Sequence, residues 1–193
     1  RQSPPAARNN GWMETDRPMR RLIAMFLAAW LLAAPSSAQE QVDDGLAKGL
    51  ALFRAGRYED ALPFFRRALD LAEARYGTDD PAIAVELNNL AEVHRKMGHL
   101  DDAESLYQKA IELDRRAGRE ATAEFATSLN NLALVYRAQG RPGEAERLYE
   151  QALVVLEQAL GPLHPDVARA LNNLAVLHRM AGHPERARPL QER

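Results

Sequence analysis

Leu129-Asn130-Asn131-Leu132-Ala133 stands twice more in the chain, as Leu87-Asn88-Asn89-Leu90-Ala91 and as Leu171-Asn172-Asn173-Leu174-Ala175. The step is 42 residues each time. Other columns keep that step: Gly56, Gly98, Gly140 and Gly182; Ala61, Ala103, Ala145 and Ala187; Phe65, Tyr107 and Tyr149, with Ala68, Ala110 and Ala152 behind them. Self-similarity at a fixed period of this size means one supersecondary unit stacked on copies of itself.

The unit is helical. Of the 193 residues, 46% are hydrophobic and only 6% aromatic, and helix-favouring Ala, Leu, Glu and Arg dominate. Leu46, Leu50 and Phe53 fall at helical spacing, as do Leu62, Phe65, Leu69 and Ala72. The pattern predicts helices over Gly45–Ala55, Tyr58–Arg75, Ala82–Met97, Leu100–Ala117, Thr122–Gln139, Pro142–Leu160 and Asp166–Ala181, and another begun at Pro184. Each glycine of the column falls just past a helix, where a left-handed residue is needed. Asp80 or Asp79 is the expected N-cap after the Gly77 turn. The two alanine columns lie seven residues apart, two turns along one face, so helix pairs approach closely there. The repeats run over about 45–81, 82–123, 124–165 and a truncated 166–193.

Leu132-Ala133, Tyr136, Gly140, Ala145, Tyr149 and Ala152 resemble the tetratricopeptide repeat signature. The 42-residue period, the Leu-Asn-Asn-Leu-Ala block and the linker from Gly161 to Ala168 resemble the kinesin light chain subclass. The resemblance covers about residues 45–193. It departs at Gly45 and Lys48, where the other repeats have Leu, and in the 117–123 linker, which lacks the proline seen at Pro81 and Pro165. It implies an all-α, right-handed superhelical solenoid of antiparallel helix pairs whose concave groove binds protein or peptide segments. The positions that line that groove in the family are here Asn88, Asn130 and Asn172, with Arg95, Arg137 and Arg179 seven residues on. Each amide offers a donor and an acceptor suited to a peptide backbone. Each guanidinium offers a planar fork suited to a carboxylate. An acidic extended segment is the expected ligand. The competing reading is a solvated helix face copied by duplication. The resemblance makes Asn89, Asn131 and Asn173 structural.

No catalytic constellation is visible. There is no cysteine, no phosphate-binding glycine loop and no nucleophile paired with a base. His94/His99 and His178/His183 are five apart and straddle a helix-ending glycine, whereas a metal pair on a helix prefers a four-residue step. His94 and His178 also occupy the Tyr136 column, so they read as packed side chains, and neither metal nor cofactor is expected. His164 reads as a packing or capping residue. The net charge of −2, with both signs interleaved, does not point to nucleic acid. The expected function is therefore a non-enzymatic scaffold for a protein or peptide partner. One alternative is a self-assembly module that associates as a homo-oligomer through an uncapped last repeat, with Leu171, Leu174 and Leu177 partly uncovered. Another is an enzyme whose catalytic part lies outside this chain.

The N-terminal stretch predicts export. Arg20-Arg21 precedes an apolar run from Leu22 to Ala34, followed by Pro35-Ser36-Ser37-Ala38. That order is a signal peptide over 19–38, with residues 1–18 an upstream or disordered extension and 39–193 the repeat domain. The run is short for a membrane span, which needs about 20 apolar residues; a buried or interfacial helix is the other reading. Residues 1–38 hold five of the 25 basic and two of the 27 acidic residues, leaving 20 and 25 and a net charge of −5 for a mature periplasmic or secreted protein. Intact-mass analysis of the exported fraction should find a chain beginning at or near Gln39; a membrane-bound chain still carrying Leu22–Ala34 would refute export.

Overall fold

The structure, a computed structural model, describes residues 45–193. The apolar run, the cleavage point after Ala38 and the 1–18 extension lie outside the described residues. Helix α1 covers 45–54. It is followed by α2 (Tyr58–Tyr76), α3 (Ala84–Met97), α4 (Leu100–Arg116), α5 (Ala123–Ala138), α6 (Pro142–Leu160), α7 (Pro165–Met180) and α8 (Pro184–Gln191). No strand occurs among the described residues, and no helix there is long and apolar enough to cross a membrane.

Local chemistry sets the helix ends. At Gly98 the backbone turns left-handed, with φ 81° and ψ 7°. The Gly98 N–H donates to the Arg95 carbonyl and the His99 N–H to the His94 carbonyl, so two carbonyls at the end of α3 are satisfied before α4 starts. The helix expected from Ala82 opens instead as a 3-10 turn over Pro81–Ile83. The Asp80 carboxylate accepts the Ala82 N–H at 2.7 Å and the Ala84 N–H closes on the Pro81 carbonyl, so the first turn is wound tight. The 117–123 linker manages without a proline because Thr122 caps α5, accepting from the Phe125 N–H at 3.2 Å and donating to the Arg119 carbonyl at 2.8 Å. His164 caps α7, its Nδ1 accepting the Asp166 N–H at 3.2 Å.

Each helix packs on its neighbours in sequence, and α3 also touches α5. This is a solenoid of helix pairs. The alanine column is sealed: Ala61, Ala103 and Ala145 have no exposed surface. Tyr107 and Tyr149 are equally buried beside them. On the first helix of each pair the column that reads Ala91, Ala133 and Ala175 begins with glycine, at Gly49. A Cβ on Gly49 would lie 2.8 Å from the Phe64 Cβ, closer than two carbons can sit, so α1 and α2 touch backbone to side chain there. The expected uncovered end face is not found. Leu171, Leu174 and Leu177 are all buried, and Leu190 of α8 packs against the core they belong to. Even a short α8 supplies the second layer that α7 needs.

Ala145→Leu should therefore lower stability by about 1–3 kcal/mol through overpacking. A denaturant melt checks this, and an unshifted midpoint would mean that the column is not a close contact.

Candidate peptide-binding groove

Because successive helices are antiparallel, α3, α5 and α7 run in the same direction. Residues four and seven apart stack on one helix face, so α3 presents Asn88, Glu92 and Arg95 together. The same positions on α5 are Asn130, Leu134 and Arg137, and on α7 Asn172, Val176 and Arg179. A cleft of about 340 Å³ crosses these helices, lined by Val85, Asn88 and Glu92 of α3, Glu124 and Thr127 of α5, and Asp166 of α7.

The three asparagines expected in the groove have different roles. Asn88 is half-buried on the cleft wall. Its Nδ2 donates to the Ser128 Oγ of the next repeat at 2.7 Å, while its Oδ1 is buried with no partner. Asn130 is 2% exposed, and its Oδ1 accepts from Asn173 Nδ2 at 3.0 Å. Asn130 therefore ties α5 to α7 rather than presenting a free amide. Asn172 is exposed and lines a separate cavity of about 390 Å³ between α7 and the chain end, with Leu171 and Leu190. The identical letters are separated by what each next repeat offers: Ser128 follows Asn88, and Asn173 follows Asn130. The second-asparagine position is structural at Asn173, through a side chain rather than the backbone.

The arginines diverge in the same way. Arg95 is clamped by Glu92, donating from Nε at 2.7 Å and from a terminal nitrogen at 2.6 Å. That pairing raises the Arg95 pKa. The Tyr107 hydroxyl completes the arrangement, donating to Glu92 at 3.1 Å. One repeat later the carboxylate is missing, because Leu134 stands in the place of Glu92. Arg137 is half-buried and Arg179 exposed, and among the described residues neither has an ion-pair partner. The Tyr149 hydroxyl, equivalent to that of Tyr107, is buried without a hydrogen-bond partner. Burial pushes its pKa up to about 12, while Arg137 and Arg95 pull the other way. Arg137 and Arg95 thus both act electrostatically on the Tyr149 hydroxyl. Glu92 was not singled out in the sequence; the signal lay in a column where the repeats differ, not in one where they agree.

The cleft is not basic, as the arginine column suggested: its charged lining is Glu92, Glu124 and Asp166, and Arg95, Arg137 and Arg179 lie outside it. Glu86, Glu124 and Asp166 sit in the first turns of α3, α5 and α7, while Arg95, Arg137 and Arg179 sit in their last turns. Each charge complements its helix end. In parallel helices the surface therefore has an acidic edge and a basic edge. Among the described residues, one group could approach a metal ion: His94, His99 and Asp102, at the turn between α3 and α4.

Truncating Asn173 should strand a buried acceptor on Asn130. Asn173→Ala is expected to cost about 1–3 kcal/mol, whereas Asn172→Ala at an exposed position should stay within about 0.5 kcal/mol. Urea melts of the two variants separate these outcomes, and equal losses would contradict the division of labour.

Comparison with known proteins agrees with this architecture. No curated protein sequence matches the chain. Among solved structures, BtubC (BKLC) from P. vanneervenii superposes with a TM-score of 0.68 at 24% identity, covering 78% of this chain and 60% of that one. The chain thus spans less than two thirds of that protein's length. A kinesin light chain-like protein of Podosopora anserina with nearly identical TPR-like repeats gives 0.70 at 19% identity, over 79% of this chain and 72% of that one. MamA gives 0.56 at 18% identity, over 83% and 80%. At these identities the likeness concerns the fold. Residues 45–116 and 124–193 match the tetratricopeptide repeat family, and the chain belongs to it.

Proposed function

We propose that this protein is a non-enzymatic scaffold that holds an extended segment of a protein partner across α3, α5 and α7, with an acidic side chain of that segment beside Arg137. Tetratricopeptide folds are protein-interaction scaffolds, which supports the coarse reading. The observation that carries the finer one is Glu92. In the α3–α4 repeat an internal carboxylate lies between Arg95 and the Tyr107 hydroxyl. In the next repeat the arginine and the tyrosine remain and the carboxylate does not. A ligand carboxylate would pair with the half-buried Arg137 from the surface, with Arg179 next along the basic edge. Asn172 is the exposed asparagine of the three and so the one free to bond a peptide backbone, since the Asn88 Oδ1 is buried. On the acidic edge, Glu124 favours a basic residue at the other side of the segment. Asn130 contributes by fixing the spacing between repeats. The signal peptide expected over residues 19–38 supports a partner in the periplasm or outside the cell. Association through an uncovered last repeat loses its main support, since the leucines it relies on are buried.

The test uses fluorescently labelled, extended peptides that differ only in carrying Glu, Gln or Lys at spaced positions. The Glu series should bind best, and less tightly as salt rises. A charge-assisted hydrogen bond contributes about 1.5–3 kcal/mol, so Arg137→Ala should weaken binding about tenfold or more. Arg137→Lys should recover only part, because it lacks the fork. Leu134→Glu, which supplies an internal carboxylate as Glu92 does, should block the same peptides without unfolding the chain. Equal affinity for Glu and Gln peptides would move the acidic preference off this face.

A further inference from the structure

The turn between α3 and α4 differs from its counterparts in a specific way. One repeat earlier, the residue after the glycine is Arg57, paired with Asp60 at 2.7 Å. One repeat later it is Arg141, paired with Glu144 at 2.6 Å and stacked over the Tyr136 ring at 3.9 Å. In both, a guanidinium satisfies the acid. At the α3–α4 turn the arginine is replaced by His99, the ring position is held by His94, and the acid is kept as Asp102.

These three side chains converge. The left-handed turn at Gly98 folds His99 back, so that the two imidazole rings lie 5.7 Å apart between centroids. One ligand atom from each of His94, His99 and Asp102 lies within 4.8 Å of the others. His94 is more than nine-tenths buried, and its Nδ1 has no hydrogen-bond partner. The nearest carboxylate oxygen, on Asp102, is 3.5 Å away. A five-residue spacing is poor for two ligands on one continuous helix, but here the helix has ended and the reversal brings the second imidazole over the first.

We propose that His94 Nδ1, His99 and the Asp102 carboxylate form a binding site for a first-row divalent cation of the zinc class, which clips the α3–α4 turn. Imidazole and carboxylate are the ligand types such ions take, with water completing the shell. Bond lengths near 2.0–2.1 Å put tetrahedral ligand atoms roughly 3.3 Å apart. His99 and Asp102 are exposed and can swing inward to that separation, while buried His94 stays fixed. Arg66 is close enough to act on His94 and opposes a cation, which limits affinity. The last repeat supplies a natural control. It has the same pair, His178 and His183, but Arg186 stands in the acid's place and turns to Glu146 at 2.6 Å. His178 there faces Glu146 at 3.9 Å and His183 faces Glu185 at 3.3 Å, but Arg186 already holds Glu146, and among the described residues no three ligand atoms converge there.

The tag-free full chain, stripped with a chelator, is titrated with Co²⁺ while its visible d–d absorption is followed, and then with Zn²⁺ in competition. One Co²⁺ per chain should bind with low-coordinate bands and be displaced by Zn²⁺, and Zn²⁺ should raise the melting temperature. His99→Arg, which recreates the neighbouring repeats' ion pair, should weaken binding tenfold or more while leaving the metal-free melt unchanged. Asp102→Asn should do likewise, and His183→Ala should change nothing. No absorption bands at millimolar Co²⁺, or binding that survives His99→Arg, or binding lost on His183→Ala, would overturn the site.

Discussion

The alanine at the close approach of each helix pair is the constraint on which the rest of the structure depends. Ala61, Ala103 and Ala145 are wholly buried, and Ala187 nearly so. With nothing larger than a methyl group at that point, one pair can seat against the next, and the aromatic side chain beside it fills the remaining gap. A helix pair alone would leave one apolar side in water; stacking buries both. The glycine turn is subordinate to this contact, because it sets the angle at which the second helix returns to meet the first.

Fixed stacking has a consequence for function. Every side chain is carried to the same place on each repeat, so a column of residues becomes a row on the surface. Charges placed to suit the ends of α3, α5 and α7 fall into two parallel edges of opposite sign. What varies along a row then distinguishes one repeat from another. Glu92 fills the place between Arg95 and Tyr107, whereas Leu134 leaves Arg137 and Tyr149 without a carboxylate. Likewise Arg57, His99, Arg141 and His183 follow equivalent glycines, and only His99 meets both a second imidazole and an acid.

Periodicity made the fold legible, because the stacking contact needs the same small residue at every step. The α6 bounds, the glycine ends and the buried alanines all follow from it. The 3-10 opening at Pro81 was harder to see, since it depends on the Asp80 carboxylate folding over its own backbone. The groove was legible only in outline. Asn130 carries the same letter as Asn172, yet one is buried against Asn173 and the other is exposed. That difference comes from the neighbouring repeat, 43 residues away for the Asn130–Asn173 bond, and not from the residue itself. The His94–His99 spacing placed a helix-ending glycine between the two side chains, but it did not show that the turn brings their rings to 5.7 Å, because that depends on how the Gly98 reversal folds in space.

Arg137 should hold a carboxylate at the Leu134 position as Arg95 holds Glu92. A double-mutant cycle in denaturant, combining Leu134→Glu with Arg137→Ala, measures that without any ligand. The cycle subtracts the packing lost with the leucine and isolates the pair. A favourable coupling of about 1.5–3 kcal/mol is predicted for charge-assisted bonds in this half-buried setting. Additive effects within about 0.5 kcal/mol would show that the two positions do not meet, and would contradict the carboxylate site.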